Sequence, residues 1–232
     1  MTSGAKREAR GLTLVEILVV IALLATLAAM LFPVLARAKI PAKGTVCFEN
    51  LHSIGIAVDL YSGDADARYP LALDPQDRFG AWPFPGRPGA LLSDAVAGYA
   101  KSRDVWRCPL DVGVPDLSSR DRVEVVEIAL PGTAPSIFAR YGMSYTYNAH
   151  LAEWGLAQPV MLWDPDRRVE RGPAEIPISG DLYHAWHGSP APGSPERRRA
   201  NVVFADGHAK TTRWPDTEVT GAWVPVGRED GG

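Results

Sequence analysis

The chain has 232 residues, of which 46% are hydrophobic, and its 24 Lys and Arg against 27 Asp and Glu give a net charge of −3. This near-neutral balance gives no general argument for binding nucleic acid. Beyond an apolar N-terminal segment about 195 residues remain, enough for one domain with a hydrophobic core. The 22 glycines and 20 prolines predict short strands joined by loops.

The N-terminus combines a basic leader, residues 1–11, with a long apolar segment. Residues 12–35 are apolar except for the interruptions at Glu16 and Pro33. As a helix they extend over roughly 36 Å, which is enough to span a bilayer. A carboxylate inside such a segment is costly unless it has a partner, so Glu16 is a candidate functional residue.

Three kinds of N-terminal segment fit this pattern. A cleaved signal peptide would use the small-x-small site at residues 36–38, but the apolar stretch is longer than the roughly 7–15 residues of a signal core. A plain membrane anchor leaves Glu16 unexplained. The third kind is a leader that is cleaved ahead of the apolar segment.

The sequence GLTLVE at residues 11–16 resembles the cleavage and methylation motif of type IV pilins and type II secretion pseudopilins. The resemblance implies that prepilin peptidase cleaves after Gly11, that Leu12 becomes the N-methylated N-terminus, and that Glu16 is the glutamate typical of this position. Leu12 departs from the commoner phenylalanine. Pro33 lies where many type IV pilins have a proline that kinks the helix.

This resemblance also implies a function. Glu16 would pair with the N-terminal amine of a neighbour's Leu12, and a buried pair of this kind can set the register of an assembly. The implied partners are prepilin peptidase, other pilin or pseudopilin subunits, the inner-membrane assembly platform with its ATPase, and the lipid bilayer. The N-terminus would be cytoplasmic and the bulk of the chain extracytoplasmic, in the bacterial periplasm or at the cell surface. No enzymatic activity, cofactor or nucleic acid is expected.

A second helical pattern follows the membrane segment. Apolar residues recur at spacings of four, three, four and three from Cys47 to Tyr61, which predicts one face of a helix. Residues 37–62 therefore continue the membrane helix of residues 12–36, although Pro41 and Gly44 should kink or break it. The predicted fold is α+β and pilin-like, with this long helix packed on a small antiparallel sheet formed within residues 63–232.

Local signals predict the elements of that domain. Residues 62–67 read as a turn-rich link, and residues 91–101 predict a short helix with Ser93 as its cap. Asp206 and Gly207 predict a two-residue hairpin turn of type I′. The predicted strands are residues 122–130, 143–148, 159–163, 201–205 and 209–214.

Several stretches resemble a second pilin-like family, which couples this leader to a C-terminal His-x(9)-Asp-Gly motif. They are CxxNLHxIG at residues 47–55, DxDxRYP at 64–70, CPLD at 108–111, SYTYN at 144–148 and NVVFADGH at 201–208. The chain departs from the motif because 18 residues, not nine, separate His187 from Asp206.

Two sets of polar residues could hold a metal. The densest one has imidazoles and carboxylates of the kind that bind zinc, although the same residues also fit a hairpin turn with surface or packing histidines. The second set offers oxygen ligands for calcium, which the major pseudopilins bind, although loop aspartates are more often turn residues. The first set is Asp181, His184, His187, Asp206 and His208, and the second is Asp64, Asp66 and Asp111.

Cys47 and Cys108 are the two cysteines of the chain. After export they would lie in an oxidising compartment, where a disulfide is allowed; the alternative is two buried thiols.

No nucleophile elbow, His-Glu-x-x-His motif or phosphate loop is present in the sequence. Two alternatives to a filament subunit stay open. One is a membrane-anchored extracytoplasmic domain that binds a ligand or metal, and the other is a minor pilin in DNA uptake that would use the basic residues 197–199.

Overall fold

The computed structural model describes residues 13–79, 89–113, 135–153, 155–164, 169–182, 187, 199–213 and 224–225. The chain divides into two compact units, Met1–Ala42 and Lys43–Gly232. The described α-helices are α1 (Leu14–Asp64), α2 (Pro75–Phe79), α3 (Leu92–Ala95), α4 (Ile137–Tyr141) and α5 (His150–Glu153), and the 3₁₀ helices are Arg103–Trp106 and Pro173–Glu175. The described strands are β1 (Tyr145–Tyr147), β2 (Leu162–Asp164), β3 (Val169–Arg171), β4 (Pro177–Asp181), β5 (Arg199–Phe204), β6 (Ala209–Arg213) and β7 (Val224–Pro225).

Helix α1 is 51 residues long and contains both Pro33 and Pro41. The expected break at Pro41 and Gly44 is wrong, because helical structure continues through both residues, while a kink there stays a prediction. A proline removes a single backbone donor, and the turns on either side of it keep their own hydrogen bonds. A kink at Pro33 stays a prediction.

The first part of α1 is apolar and exposed. Its large apolar side chains from Leu14 to Leu35 are 49–80% exposed, and the helix is long and apolar enough to cross a membrane. An exposed apolar surface of this length indicates contact with lipid or with other apolar helices.

The second unit contains two antiparallel sheets. The first has four strands in the order β1-β4-β5-β6, and the second has three in the order β3-β2-β7. Every residue of β4 is buried, and so are the last five residues of β5. The expected α+β arrangement, a long N-terminal helix followed by a small antiparallel sheet domain, is confirmed.

The C-terminal part of α1 belongs to the core of this second unit. Leu51, Ile54 and Val58 are fully buried, as their helical spacing predicts. Gly55 faces β5 so closely that a Cβ added there would lie 2.6 Å from Cγ2 of Val203. Only a glycine at residue 55 allows the helix to lie this near the strand.

The predicted elements agree with the structure in kind more often than in length. Residues 143–148 contain β1, and residues 159–163 contain the start of β2. The helix predicted at residues 91–101 is limited to α3, and its N-cap is Leu91 without a side-chain bond, so Ser93 is not the cap. The predicted strand at residues 122–130 lies outside the described residues.

The β5–β6 hairpin is confirmed, but its turn differs from the predicted one. The amide of Phe204 donates to the carbonyl of His208, and the amide of Gly207 donates to the carbonyl of Phe204. Gly207 has a φ of +85°, whereas Asp206 is not among the described non-glycine residues with positive φ. A type I′ turn requires positive φ at both central residues, so the loop is the three-residue kind that ends in a left-handed glycine.

We predict that Gly55→Ala destabilises the protein by about 1–3 kcal/mol, because the added methyl group must displace Val203 or the helix. Gly63→Ala is the matched control, since a Cβ at Gly63 meets no atom within 4 Å. Thermal unfolding of the full chain in detergent measures both variants. An unchanged melting temperature for Gly55→Ala would contradict the close contact of α1 with β5.

Candidate functional site

The start of α1 is closed by a reciprocal pair of polar residues. The backbone N–H of Thr13 donates to Oε2 of Glu16 at 2.8 Å, and the backbone N–H of Glu16 donates to Oγ1 of Thr13 at 3.2 Å. This is a capping box, in which each side chain satisfies a backbone donor that the helix leaves unpaired. Gly11 and Leu12, the predicted processing residues, lie outside the described residues.

The predicted zinc set separates into two pairs. Nε2 of His187 lies 3.2 Å from Oδ2 of Asp181, and both side chains are almost fully buried. His208 instead contacts Asp206 within the β5–β6 turn. The structure does not assemble these four residues into one ligand set, and His184 lies outside the described residues.

Asp206 and His208 have a role in the hairpin. The backbone N–H of His208 donates to Oδ1 of Asp206 at 3.1 Å, and the His208 ring stacks on Phe204. Burial raises the pKa of Asp206, but hydrogen bonds from His208 outweigh it and leave that pKa below its ordinary value. Asp206 and His208 therefore stabilise the β5–β6 turn.

The predicted calcium set is also not assembled among the described residues. Asp64 accepts a hydrogen bond from the Tyr99 hydroxyl at 3.1 Å, which raises the pKa of Tyr99. Asp66 adopts a left-handed conformation with a φ of +53° in the turn after α1. Asp111 lies in a separate hydrogen-bond network, described next.

Asp111 accepts four hydrogen bonds. Its Oδ1 accepts from the backbone N–H of Gly113 and of Ile137, both at 2.9 Å. Its Oδ2 accepts from the backbone N–H of Phe138 at 2.8 Å and from the hydroxyl of Ser144 at 2.6 Å. The carboxylate therefore joins the loop after Cys108 to the first turn of α4 and to the segment before β1.

Cys47 and Cys108 form a disulfide across 61 residues of sequence. Cys47 lies on the buried face of α1 and Cys108 follows the first 3₁₀ helix, and both residues are buried. The bond links the helix to the loop that Asp111 organises. Such a cross-link stabilises a fold mainly by restricting the unfolded chain.

His187 lies against this disulfide. Its Nε2 is 3.5 Å from Sγ of Cys108, and its Nδ1 is 3.4 Å from Nδ2 of Asn201. Asp181 beside it accepts a hydrogen bond from the backbone N–H of Asn201 at 2.6 Å through Oδ2. Its buried Oδ1 has no hydrogen-bond partner in the part of the chain that the structure describes. We call Cys47, Cys108, Asp181 and His187 the buried polar cluster.

This cluster is not visible in the sequence, because its cysteines and its histidine belong to separate motifs. The described residues contain one group of three or more potential metal ligands. It consists of Cys47, Cys108 and His187, whose ligand atoms lie within 4.8 Å of one another. No local spacing could have indicated it, since the residues come from three distant parts of the chain.

Other residues of the predicted motifs make structural hydrogen bonds. Nδ2 of Asn50 donates to the carbonyl of Arg107 at 2.9 Å, next to the disulfide. The hydroxyl of Tyr147 donates to the carbonyl of Pro70 at 2.7 Å, and Nδ2 of Asn148 donates to the carbonyl of Pro177 at 3.2 Å. These bonds hold the motifs in place around β1 and α1.

We predict that Asp111→Asn lowers the free energy of unfolding by about 2 kcal/mol or more, because an amide nitrogen would face backbone donors that a carboxylate now satisfies. The matched control is Asp104→Asn at an exposed position. Thermal unfolding of the full chain in detergent, with Ca²⁺ and with a chelator, should show the same loss in both conditions. A loss seen only with Ca²⁺ would assign Asp111 to a calcium site instead.

Comparison with known proteins finds one family match. Residues 6–32 match the prokaryotic N-terminal methylation motif. No curated protein and no solved structure is detectably similar to the chain. The resemblance to the family with the C-terminal His-x(9)-Asp-Gly motif stays a prediction.

The methylation motif implies processing by prepilin peptidase and assembly with other pilins, and the family that carries it is structural rather than enzymatic. The matched residues include the apolar start of α1, a helix long and apolar enough to cross a membrane. Together, the motif and the helix indicate a membrane-anchored precursor of the type IV pilin-like kind.

Proposed function

We propose that this protein is a structural subunit that prepilin peptidase cleaves after Gly11 and that assembles into a type IV pilus-like or type II secretion pseudopilus filament. The observation that carries the proposal is the methylation motif at residues 6–32, which includes the start of a helix whose apolar side chains are exposed. The segment needs an apolar environment both before and after assembly.

Helix packing supplies that environment in the filament. In the membrane the first part of α1 contacts lipid, and in a filament the same surface would contact the helices of other subunits. Helices associate in apolar surroundings through close packing at small residues, and Ala25 and Ala29 are exposed one turn apart on α1. The filament core would thus replace lipid with neighbouring helices.

Glu16 has a partner in the single subunit and would gain another one in the filament. In the subunit its carboxylate accepts from the backbone and hydroxyl of Thr13. In the filament it would also face the methylated, cationic amine of a neighbour's Leu12. This charge pair would fix the axial register of one helix against the next, which is the best-attested use of buried polar groups.

The proposal includes the location and the partners of the protein. The leader would lie in the cytoplasm, one span would cross the inner membrane, and the second unit would be extracytoplasmic. The Cys47–Cys108 disulfide supports this orientation, because disulfides persist in oxidising compartments. An inner-membrane platform and its ATPase would drive assembly.

Mass spectrometry of the N-terminus, on protein from native membranes, tests the processing step. The expected result is a chain that begins with N-methylated Leu12. An intact Met1 would overturn the proposal and leave an anchored domain. A chain that begins after residue 38 would show ordinary secretion and would also overturn it.

We predict that Glu16→Ala impairs filament formation while the precursor is still cleaved, because the neighbour's amine then lacks a counter-charge. Glu16→Gln separates this role from helix capping, since glutamine also serves in a capping box but carries no charge. Both variants should therefore show strongly reduced filaments by shearing and electron microscopy. Normal filaments from Glu16→Gln would show that Glu16 acts only as a cap.

A second function is favoured by the buried polar cluster. A membrane-anchored extracytoplasmic domain that binds a metal would use α1 only as an anchor and would need no cleavage at Gly11. The N-terminal mass distinguishes the two functions, because only the filament subunit requires a methylated Leu12.

A further inference from the structure

The buried polar cluster brings two sulfurs, an imidazole and a carboxylate to one place in the second unit. The ligand atoms of Cys47, Cys108 and His187 lie within 4.8 Å of one another, and Asp181 adds a carboxylate that contacts the same imidazole nitrogen. A disulfide with packed apolar neighbours would need neither polar group. Among the described residues, the buried Oδ1 of Asp181 has no hydrogen-bond partner. Burying such a carboxylate is costly, and a cation bound beside it would offset that cost.

Two of the six ligand–ligand distances match the edges of a tetrahedral zinc site, whereas the two sulfurs are bonded to each other and separate only on reduction. Zinc bonds of about 2.3 Å to sulfur and 2.0–2.1 Å to nitrogen or oxygen place ligand S and N atoms about 3.6 Å apart, and ligand N and O atoms about 3.3 Å apart. The observed separations are 3.5 Å between Sγ of Cys108 and Nε2 of His187 and 3.2 Å between that nitrogen and Oδ2 of Asp181.

We propose that the reduced form of this protein binds one zinc ion through Cys47, Cys108, His187 and Asp181, and that the oxidised form holds the same place closed with the disulfide. Two thiolates and one imidazole are ligands that zinc prefers, and a carboxylate is a common fourth. The site is independent of the filament proposal, because all four ligands belong to the second unit.

The chemistry balances with a dithiol as the reductant. The dithiol transfers two electrons and two protons to the disulfide, so that the S–S bond breaks, two protein thiols form and the reductant becomes a cyclic disulfide. Zinc then displaces the two thiol protons and bonds to both sulfurs, which separate to about 3.8 Å. A small-molecule disulfide reverses the sequence: it takes two electrons from the two thiolates and two protons from water, becomes two thiols, and the protein S–S bond re-forms as the ion is released.

The residues around His187 can hydrogen-bond to its ring in both the oxidised form and the zinc-bound form. With the disulfide closed, Nδ2 of Asn201 faces Nδ1, so Nδ1 accepts and the Nε2 proton points to Asp181. Zinc at Nε2 moves the ring proton to Nδ1, and rotation of the Asn201 amide then presents its oxygen as the acceptor. Thr211, which now donates to Oδ1 of Asn201, can accept instead because a hydroxyl does both.

The consequence is a tether that survives reduction. The disulfide joins α1 to the loop at Cys108, whereas zinc would join these two to the end of β4 and to the segment at His187. The metal would therefore hold the segments that surround the start of the sheet domain when the covalent link is open. Metal binding of this kind contributes directly to folding free energy.

The test uses the full chain in detergent micelles, reduced with a dithiol that is then removed under inert gas. Titration with Co²⁺, a spectroscopic substitute for Zn²⁺, should give thiolate-to-cobalt charge-transfer absorption and tetrahedral visible bands that saturate at one equivalent. One equivalent of Zn²⁺ should displace the cobalt. The oxidised protein should give no such spectrum.

Four variants locate the ligands. His187→Gln and Asp181→Asn should each weaken binding by at least about tenfold, while His208→Gln and Asp206→Asn, the matched pair in the β5–β6 turn, should leave it unchanged. Far-ultraviolet circular dichroism of the oxidised variants confirms that each is folded before reduction.

Three results would overturn the proposal. The first is a reduced wild-type protein that takes up no Co²⁺. This result counts whether the reduced protein stays folded or unfolds and does not refold when Zn²⁺ is added. The second is an unchanged affinity in His187→Gln, which would reduce the site to chelation by two thiols. The third is an unchanged affinity in Asp181→Asn, which would remove the fourth ligand.

Discussion

The contact of α1 with β5 at Gly55 is the constraint on which the second unit depends. A Cβ at this position would lie 2.6 Å from Cγ2 of Val203, so the Val203 side chain packs directly against the helix backbone. Leu51, Ile54 and Val58 are fully buried on the same helix. The two parts of this helix therefore have different roles. Its first part is apolar enough to cross a membrane, and its last part contributes buried residues to the core of the sheet domain.

Hydrogen bonds from buried polar side chains hold the loops around this core. Asp111 alone satisfies three backbone donors and the Ser144 hydroxyl, and Asn50 ties α1 to the segment beside the disulfide. Such groups are stabilising only when every donor finds an acceptor, since an unpaired buried group costs about 1–3 kcal/mol. Asp181 is the exception in this region, because its Oδ1 has no partner among the described residues, and a cation bound beside this carboxylate would offset that cost.

Local patterns were enough for the elements whose signals lie close together in sequence. The helical spacing from Cys47 to Val58 marks the buried face of α1, and the Asp206-Gly207 pair marks the β5–β6 hairpin. Details that depend on neighbours differ from the prediction. Pro41 does not end α1, because the turns on both sides of it stay helical. The hairpin loop has three residues, because Phe204 pairs with His208 across it and Gly207 has the positive φ.

The sequence by itself determined the N-terminal part of this protein, since the methylation motif, the apolar length and Glu16 are contiguous and need no tertiary contact to be read. It could not determine the buried polar cluster. Asp181, His187, Asp206 and His208 are near one another along the chain, yet the structure separates them into two pairs. His187 instead contacts Cys108, 79 residues away. Only the packing of the sheet against α1 brings such distant side chains together.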